Sequence, residues 1–251
     1  MPFAVPEVLP DAAAVAERVA HCLIQARLDW PDLPVGLATG RTMEPVYRAL
    51  HQRIGAMAVQ QRQQLLDNWL SFNLDEYVGL GPADSASFAA FMHSRLASPL
   101  RLDPTQVRIP DGLAAAPEAE AARYACELAQ VGGVGLQLLG LGRNGHIGFN
   151  EPPCGPGAPC RVLNLSASTR QQNAGAFGGD PRAVPDRVIT LGTREILAAR
   201  AVLLVVTGAE KAAILRRSLN GSPSQSVPAS WLQRHGQLRV IVDRAAAADL
   251  S

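Results

Sequence analysis

The composition sets the first limits on this chain of 251 residues, which carries 23 basic and 22 acidic side chains and a formal net charge of +1. Hydrophobic residues make up 47% and charged residues 18%, which suits a globular core and argues against intrinsic disorder. The near-neutral balance, with no run of basic residues, excludes the electrostatic footprint of a nucleic-acid binder, and no apolar run is long enough to cross a membrane. The first residues lack the pattern of a secretory signal, and four cysteines in this length do not make a disulfide framework, so we predict a cytoplasmic protein.

One compositional feature stands out within the basic residues. Lys211 is the only lysine, and the other 22 basic residues are arginine. Chance could leave one lysine in such a chain, but lysine and arginine bind anions differently, so the position that kept a compact ammonium is a candidate binding site.

Helix-like and strand-like segments alternate along the chain. Helical spacing predicts helices at residues 11–28, 44–54, 85–97 and 117–128, and from about residue 207 onward. Apolar runs predict strands at residues 34–38, 70–74, 135–141, 187–191, 201–206 and 237–242. Buried strands separated by helices indicate an α/β protein, a Rossmann-like three-layer sandwich with a mostly parallel open sheet.

Polar residues cluster where four of these strands end. They occupy residues 39–42, 75–77, 144–151 and 207–211. Open parallel sheets bind ligands beyond the carboxyl ends of their strands, so we expect these segments to form one site.

Two of the four segments have the chemistry of a phosphate site. The turn Thr39-Gly40-Arg41-Thr42 offers backbone N–H groups and hydroxyls at the start of a helix, an arrangement that also serves simple capping. Lys211 lies in the first turn after a strand, where the positive end of the helix dipole disfavours a cation unless an anion is bound. No nucleotide-binding loop pattern is present, which favours a small phosphate ester.

The other two segments carry groups that transfer protons. Asp75 and Glu76 follow a strand directly; they are either solvated acids or a general base at the rim of a cleft. His146 lies on the glycine-rich loop at residues 142–146, and Glu151 is near enough in sequence to orient it or to share a proton relay. We expect no metal, because the spacing of His146, Cys154 and Cys160 is not that of a zinc site.

Two longer motifs stand out, Leu-Asp-Glu-Tyr-Val-Gly-Leu at residues 74–80 and Gly-x-x-Gly-His-Ile-Gly-Phe-Asn-Glu-Pro at residues 142–152. Together they resemble the family of glucosamine-6-phosphate deaminases. This family includes galactosamine-6-phosphate deaminase/isomerases and is related to the 6-phosphogluconolactonases. The likeness continues through residues 38–42, 188–192, 204–211 and 226–230, so it covers nearly the whole chain, and we expect residues 1–251 to form a single sugar-phosphate isomerase/deaminase domain.

The resemblance implies ring opening of an aminohexose 6-phosphate, isomerisation from aldose to ketose, and loss of ammonia, with no cofactor. Asp75 would move a proton between C2 and C1, and His146 would assist ring opening with Glu151 and Asn144 in its relay. The phosphate would be bound by Thr39, Gly40, Arg41, Thr42 and Lys211. Further substrate contacts would come from Glu76, Gly145 and Arg170.

Two departures from the glucosamine-type pattern bear on the substrate. The family typically has Asp-Gly-His where this chain has Asn144-Gly145-His146, which leans toward the galactosamine branch, as does Arg170 with the two glutamines after it. A phosphate-binding arginine would fall near Gly175 and is missing. The short sequence after the last predicted strand leads us to expect no allosteric activator site. The sequence does not decide whether the protein forms a homo-oligomer.

Two rival functions stay open at this point. Hydrolysis of a 6-phosphosugar lactone is disfavoured because that relative usually has Thr after its Gly-His and lacks Phe-Asn-Glu-Pro. A sugar-phosphate sensor without activity is the other rival, since Asn144 cannot ionise. The presence of Asp75, His146, Glu151 and Lys211 favours the enzyme, whose partner would be a small sugar phosphate.

Overall fold

The computed structural model describes residues 5–250. Within them the strands are β1 Glu7–Leu9, β2 Val35–Leu37, β3 Ser71–Asn73, β4 Asp75–Tyr77, β5 Val107–Arg108, β6 Leu136–Gly140, β7 Arg161–Asn164, β8 Arg187–Thr190, β9 Ala201–Val206 and β10 Leu238–Asp243. The α-helices are α1 Ala12–Asp29, α2 Met43–Gly55, α3 Val59–Asp67, α4 Phe88–Met92, α5 Ser98–Leu100, α6 Pro117–Gln130, α7 Ala167–Asn173, α8 Thr193–Leu197 and α9 Ala212–Asn220.

The main sheet has seven strands in the order β1-β10-β9-β6-β2-β3-β5, and every neighbouring pair is parallel. Helices flank this sheet in the three-layer α/β arrangement that the sequence predicts, and the prediction is confirmed. All six residues of β9 are buried, as expected for a strand covered on both faces.

A second, antiparallel sheet of three strands has the order β4-β8-β7. This corrects two predictions: residues 187–191 do not join the main sheet, and Asp75–Tyr77 is a strand instead of a loop. The chain passes between the sheets at Leu74, whose N–H donates to the Leu37 carbonyl (2.9 Å) and whose carbonyl accepts from Leu191 N–H (2.7 Å). The short β1, β5 and β7 were not predicted.

Helix boundaries follow local capping. The α1 helix begins after Asp11, whose carboxylate accepts a hydrogen bond from Ala14 N–H (2.8 Å). The helix predicted at residues 85–97 begins only at Phe88, because Ser87 caps it. It then continues through a π-helical turn, His93–Ala97.

The buried apolar residues form two clusters. The larger one lies between the main sheet and its helices, and the smaller one surrounds Tyr77, Phe149 and Val188 beside the antiparallel sheet. In the described part of the chain, no helix combines the length and apolar character needed to cross a membrane.

Candidate active site

The four polar segments lie at the carboxyl ends of adjacent strands. Strands β9, β6, β2 and β3 are consecutive in the main sheet, so the turns that follow them share one edge. The prediction that these segments converge is confirmed, and it follows directly from the parallel topology.

The loop after β6 is built around the imidazole of His146. A side chain on Gly142 would lie 2.3 Å from three ring atoms of His146, so the ring lies directly against the Gly142 backbone. Gly142 N–H donates to the His146 carbonyl (2.9 Å), which closes the loop. Gly145 has φ of +85°, and a side chain there would lie 2.8 Å from Val227 Cγ1. Both positions therefore require glycine.

His146 is a neutral base in this environment. Burial lowers the pKa of its imidazole to about 4; Glu151 opposes this shift and the Lys211 charge adds to it. Its Nδ1 is buried and has no hydrogen-bond partner among the described residues. The ring can therefore accept a proton near pH 7, since the neutral form dominates there.

Glu151 is held by a dense set of donors. Its Oε2 accepts from Ser166 N–H (2.8 Å), and its Oε1 accepts from Ser166 Oγ (2.6 Å), Thr169 Oγ1 and Asn144 Nδ2 (3.3 Å). Burial raises the pKa of Glu151, but these hydroxyl and amide hydrogen bonds outweigh it and lower the pKa below its usual value. Asn144 also accepts from His146 N–H (3.2 Å), so it joins the Glu151 carboxylate to the His146 backbone.

Asp75 has the opposite environment. It is only 5% exposed, and no hydrogen bond from the described residues reaches its carboxylate. Burial, with the charge of Glu76 as a second cause, raises the pKa of Asp75 to about 8. A methyl group placed on Gly148 would lie 3.4 Å from Asp75 Oδ2, so the loop that carries His146 packs against this carboxylate.

Glu76 differs from its neighbour. Its carboxylate accepts from the N–H groups of Tyr77 (2.8 Å), Phe88 (3.0 Å) and Ala89 (2.7 Å), and the residue is 1% exposed. Burial raises its pKa although these three bonds lower it. This geometry favours a structural role, fixing the start of α4 on β4, over the expected substrate contact.

The turn after β2 offers unoccupied donors. Gly40 has φ of +106°, and among the described residues the N–H groups of Gly40, Arg41 and Thr42 have no protein acceptor. Thr42 makes no side-chain cap bond at the start of α2. Thr39 and Thr42 are partly exposed. The turn thus has the groups of an anion site at the start of a helix of 13 residues.

Lys211 joins the β9 and β6 turns. Its Nζ donates to the Leu141 carbonyl (2.7 Å). Burial lowers the pKa of Lys211, Glu210 opposes the shift, and the charges of Arg143 and Arg41 lower it further. Both arginines are exposed, and neither forms an ion pair within residues 5–250. Three cations therefore gather at this edge of the sheet.

Arg170 lies on α7, one residue after Thr169. It is half-buried, and its Nε is buried without a partner among the described residues. This position is adjacent to the donors that hold Glu151.

Three functional candidates were not predicted from the sequence. Arg143 lies inside the recognised glycine-rich loop, and its charge beside that loop was an available signal. Ser166 and Thr169 form an N-terminal cap pattern, but their contact with Glu151 spans 15 and 18 residues and no local pattern reports it. Among residues 5–250, no group of three or more His, Cys, Asp or Glu side chains is placed to hold a metal ion.

The parallel sheet, with a turn of free N–H groups and several titratable side chains at its carboxyl edge, has the architecture of an α/β enzyme that binds its ligand at the ends of the strands. More specifically, the chain belongs to the family of glucosamine-6-phosphate isomerases and 6-phosphogluconolactonases, whose sequence pattern matches residues 10–241.

Several relatives are similar over nearly their whole length. The glucosamine-6-phosphate deaminase of Rhodopirellula baltica is 38% identical over 242 residues, covering 96% of this chain and 94% of that protein. The glucosamine-6-phosphate deaminase of Streptomyces coelicolor is 40% identical over 243 residues, covering 97% and 91%.

Solved structures agree with the fold. A monomeric glucosamine-6-phosphate deaminase superimposes with a TM-score of 0.90 at 35% identity, covering 97% of this chain and 98% of that one. A 6-phosphogluconolactonase from Trypanosoma cruzi gives a TM-score of 0.75 at 20% identity, covering 100% and 98%, and supports the fold alone.

Proposed function

We propose that this protein is a glucosamine-6-phosphate deaminase, which converts glucosamine 6-phosphate and water into a ketohexose 6-phosphate and ammonia. The observation that carries the proposal is the near full-length similarity to deaminases of that name, at 38–40% identity. These relatives favour the gluco epimer, contrary to the expectation drawn from Asn144. The family that matches includes both activities, but lactone hydrolysis is favoured less, because the solved lactonases are about 20% identical to this chain.

Ring opening falls to His146. The neutral imidazole takes the proton from the O1 hydroxyl and returns a proton to the ring oxygen as the C1–O5 bond breaks. Glu151, kept ionised by its hydrogen bonds, stabilises the transient imidazolium. Asn144 holds the Glu151 carboxylate in place without adding a charge of its own.

Isomerisation falls to Asp75. Its carboxylate takes the C2 proton, and the electron pair forms a C1–C2 double bond while the C1=O π pair moves to O1, which takes up a proton to give an enol. The C2 ammonium loses a proton to solvent, and its lone pair forms the C2=N bond as Asp75 returns its proton to C1. Water adds to the C2 iminium carbon, and ammonia leaves to give the ketone. The raised pKa of Asp75 suits a group that must accept and return a proton near neutral pH. The substrate ammonium at C2 favours the ionised carboxylate while it is bound.

The phosphate group is placed at the cationic edge. The free N–H groups of the turn at residues 39–42 and the hydroxyls of Thr39 and Thr42 donate to it, and Lys211 pairs with it. Arg143 and Arg41 supply further positive charge, and we assign to them the part of the arginine missing near Gly175. Phosphate binding here offsets the repulsion among the three cations.

Ammonia release tests the proposed function. Purified protein is incubated with glucosamine 6-phosphate, galactosamine 6-phosphate and 6-phosphogluconolactone in parallel, and ammonia, ketose and acid are measured. We expect equal amounts of ammonia and ketose from the gluco sugar. Lactone hydrolysis alone would establish the lactonase instead, and binding of an amino sugar without any turnover would establish a sensor.

Removing single cations tests the phosphate assignment. Lys211→Ala should raise KM for the sugar phosphate by about tenfold or more, and Arg143→Ala by severalfold, with kcat little changed, because both weaken binding to a group that does not react. Arg217→Ala, which removes an exposed arginine near the far end of α9, is the matched control. An unchanged KM in Arg143→Ala would remove Arg143 from the site.

Two further expectations stay predictions from the sequence: a cytoplasmic location and a possible homo-oligomer. The solved relative at 35% identity is described as monomeric.

A further inference from the structure

Four hydrogen bonds reach the carboxylate of Glu151, which lies in a loop. Three of the four contacts to its carboxylate come from two residues at the start of α7, Ser166 and Thr169. Thr169 is 2% exposed, so its hydroxyl reaches the partly buried Glu151 from the protein interior, whereas Ser166 is exposed. These two residues lie outside every motif by which the sequence resembles the deaminase family.

The hydroxyl protons at this contact can all be assigned with Glu151 ionised. Ser166 Oγ accepts from Thr169 N–H (3.2 Å) and lies 2.9 Å from Ser168 Oγ. If Ser168 donates to Ser166, the single proton of Ser166 goes to Glu151, and the proton of Thr169 goes there as well. In that arrangement both hydroxyls donate to the carboxylate, which needs no proton of its own.

Against burial, the hydrogen bonds from Ser166 and Thr169 are the main interactions that lower the pKa of Glu151, and the charge interaction with His146 lowers it further. Lys211 acts on the other partner, because its charge adds to burial in lowering the pKa of His146. Arg170 is the charged residue of α7 itself and lies beside Thr169. The far end of α7 is anchored separately, since Asn173 Nδ2 donates to the Tyr77 hydroxyl (2.9 Å) on the strand that begins with Asp75.

We propose that Ser166 and Thr169 are positioning residues that keep Glu151 ionised and oriented beside His146 for ring opening. The inference rests on the proposed function for its catalytic part, because Glu151 acts there by stabilising the imidazolium. Its electrostatic part concerns the free protein and does not depend on the substrate.

Thr169→Val and Thr169→Ser test the proposal as a matched pair. Valine keeps the shape and removes the hydroxyl, whereas serine keeps the hydroxyl. We expect Thr169→Val to lower kcat about tenfold with KM nearly unchanged, and the acid limb of its kcat profile to move to higher pH by about one unit. Thr169→Ser should restore most of the rate, and Ser166→Ala should behave like Thr169→Val.

A direct titration separates this inference from the proposed function. Infrared difference spectra of labelled carboxyl groups, assigned with Glu151→Gln, should show Glu151 ionised at pH 6 in the wild type and titrating about one unit higher in Thr169→Val. Equal losses in both Thr169 variants, or an unchanged Glu151 titration, would overturn the inference. Absence of ammonia from the wild type would overturn only the proposed function. Should Thr169→Val fail to fold, Ser166→Ala supplies the same two measurements.

Discussion

Two regions of the site each contain one carboxylate, and they shift its pKa in opposite directions. At the antiparallel sheet, Asp75 is buried without a hydrogen bond from the described residues, and its pKa rises to about 8. At the start of α7, Glu151 receives four hydrogen bonds, and its pKa falls below its usual value. These opposite pKa shifts suit the roles that we propose, a proton carrier for Asp75 and a fixed negative charge for Glu151.

Asp75 and Glu76, two neighbouring residues of β4, also differ in their hydrogen bonds. Glu76 is adjacent to Asp75 and is more deeply buried, yet three backbone N–H groups satisfy it. The difference in donors is the reason why we propose Asp75 as the base and Glu76 as a structural residue.

The largest expected effect comes from Asp75→Asn. It should lower kcat at least a thousandfold, because amide oxygen cannot take the C2 proton. The same change should stabilise the fold at high pH. The pKa of Asp75 in the folded protein, about 8, is above the ordinary value, so the buried carboxyl group stabilises the wild type at acid pH. That contribution is lost as pH rises through about 8. We expect a gain of about 2 kcal/mol at pH 9 and little gain at pH 4, measured by urea unfolding.

A rate close to that of the wild type in Asp75→Asn would remove Asp75 as the base. A stability gain that is the same at both pH values would contradict its raised pKa.

Glu151→Gln should have a smaller kinetic effect and the opposite effect on stability. Loss of the charge beside His146 should lower kcat about 10- to 100-fold. The new amide NH₂ would face the hydroxyl donors of Ser166 or Thr169, so the free energy of unfolding should fall by about 1–2 kcal/mol. Steady-state kinetics and urea unfolding at pH 7 check both. If this variant were more stable than the wild type, the carboxylate would not be held as described.

Glu76→Gln is the control within the same strand. It should destabilise the fold by about 1–3 kcal/mol, because it weakens the attachment of α4 to β4, while kcat of the folded protein changes less than threefold. Thermal unfolding and active-site-normalised kinetics measure the two effects. A loss of rate comparable with that of Asp75→Asn would restore Glu76 as a substrate contact.

The smallest expected effect is a change in how the free energy of unfolding depends on acid pH when His146 is replaced. The folded pKa of His146, about 4, is below the ordinary value of 6.5, so stability is full above about pH 6.5 and is lost as pH falls through about 4. His146→Gln should remove about 1 kcal/mol of that loss between pH 6.5 and pH 4.5. Parallel unfolding curves for wild type and variant over this range would contradict neutral burial of the imidazole.

Much of the fold could be predicted because buried strands and helices leave strong local patterns. Helix α1 and strand β9 matched the predictions closely, and the parallel order then brought the four turns together. Asp75 was found as a candidate but placed in a loop, because a three-residue strand in a second sheet is specified by its partner, β8, and not by its own sequence.

The supporting contacts were beyond the reach of sequence reasoning for a physical reason. Glu76 contacts N–H groups 12 and 13 residues away, and Glu151 contacts hydroxyls 15 and 18 residues away. Such contacts depend on how separate elements pack, whereas patterns in the sequence report local geometry. The candidate groups could therefore be identified from the sequence, whereas the contacts that shift their pKa values could not.

Carboxyl titration in the free enzyme tests the central contrast most directly. Infrared difference spectra of protein with labelled carboxyl groups, wild type against Asp75→Asn and against Glu151→Gln, assign the two signals. We predict that Asp75 is protonated at pH 7 and loses its proton near pH 8, while the pKa of Glu151 lies below the ordinary value of a glutamate. An Asp75 that titrates near pH 4, or a Glu151 that is protonated at pH 6, would contradict the account.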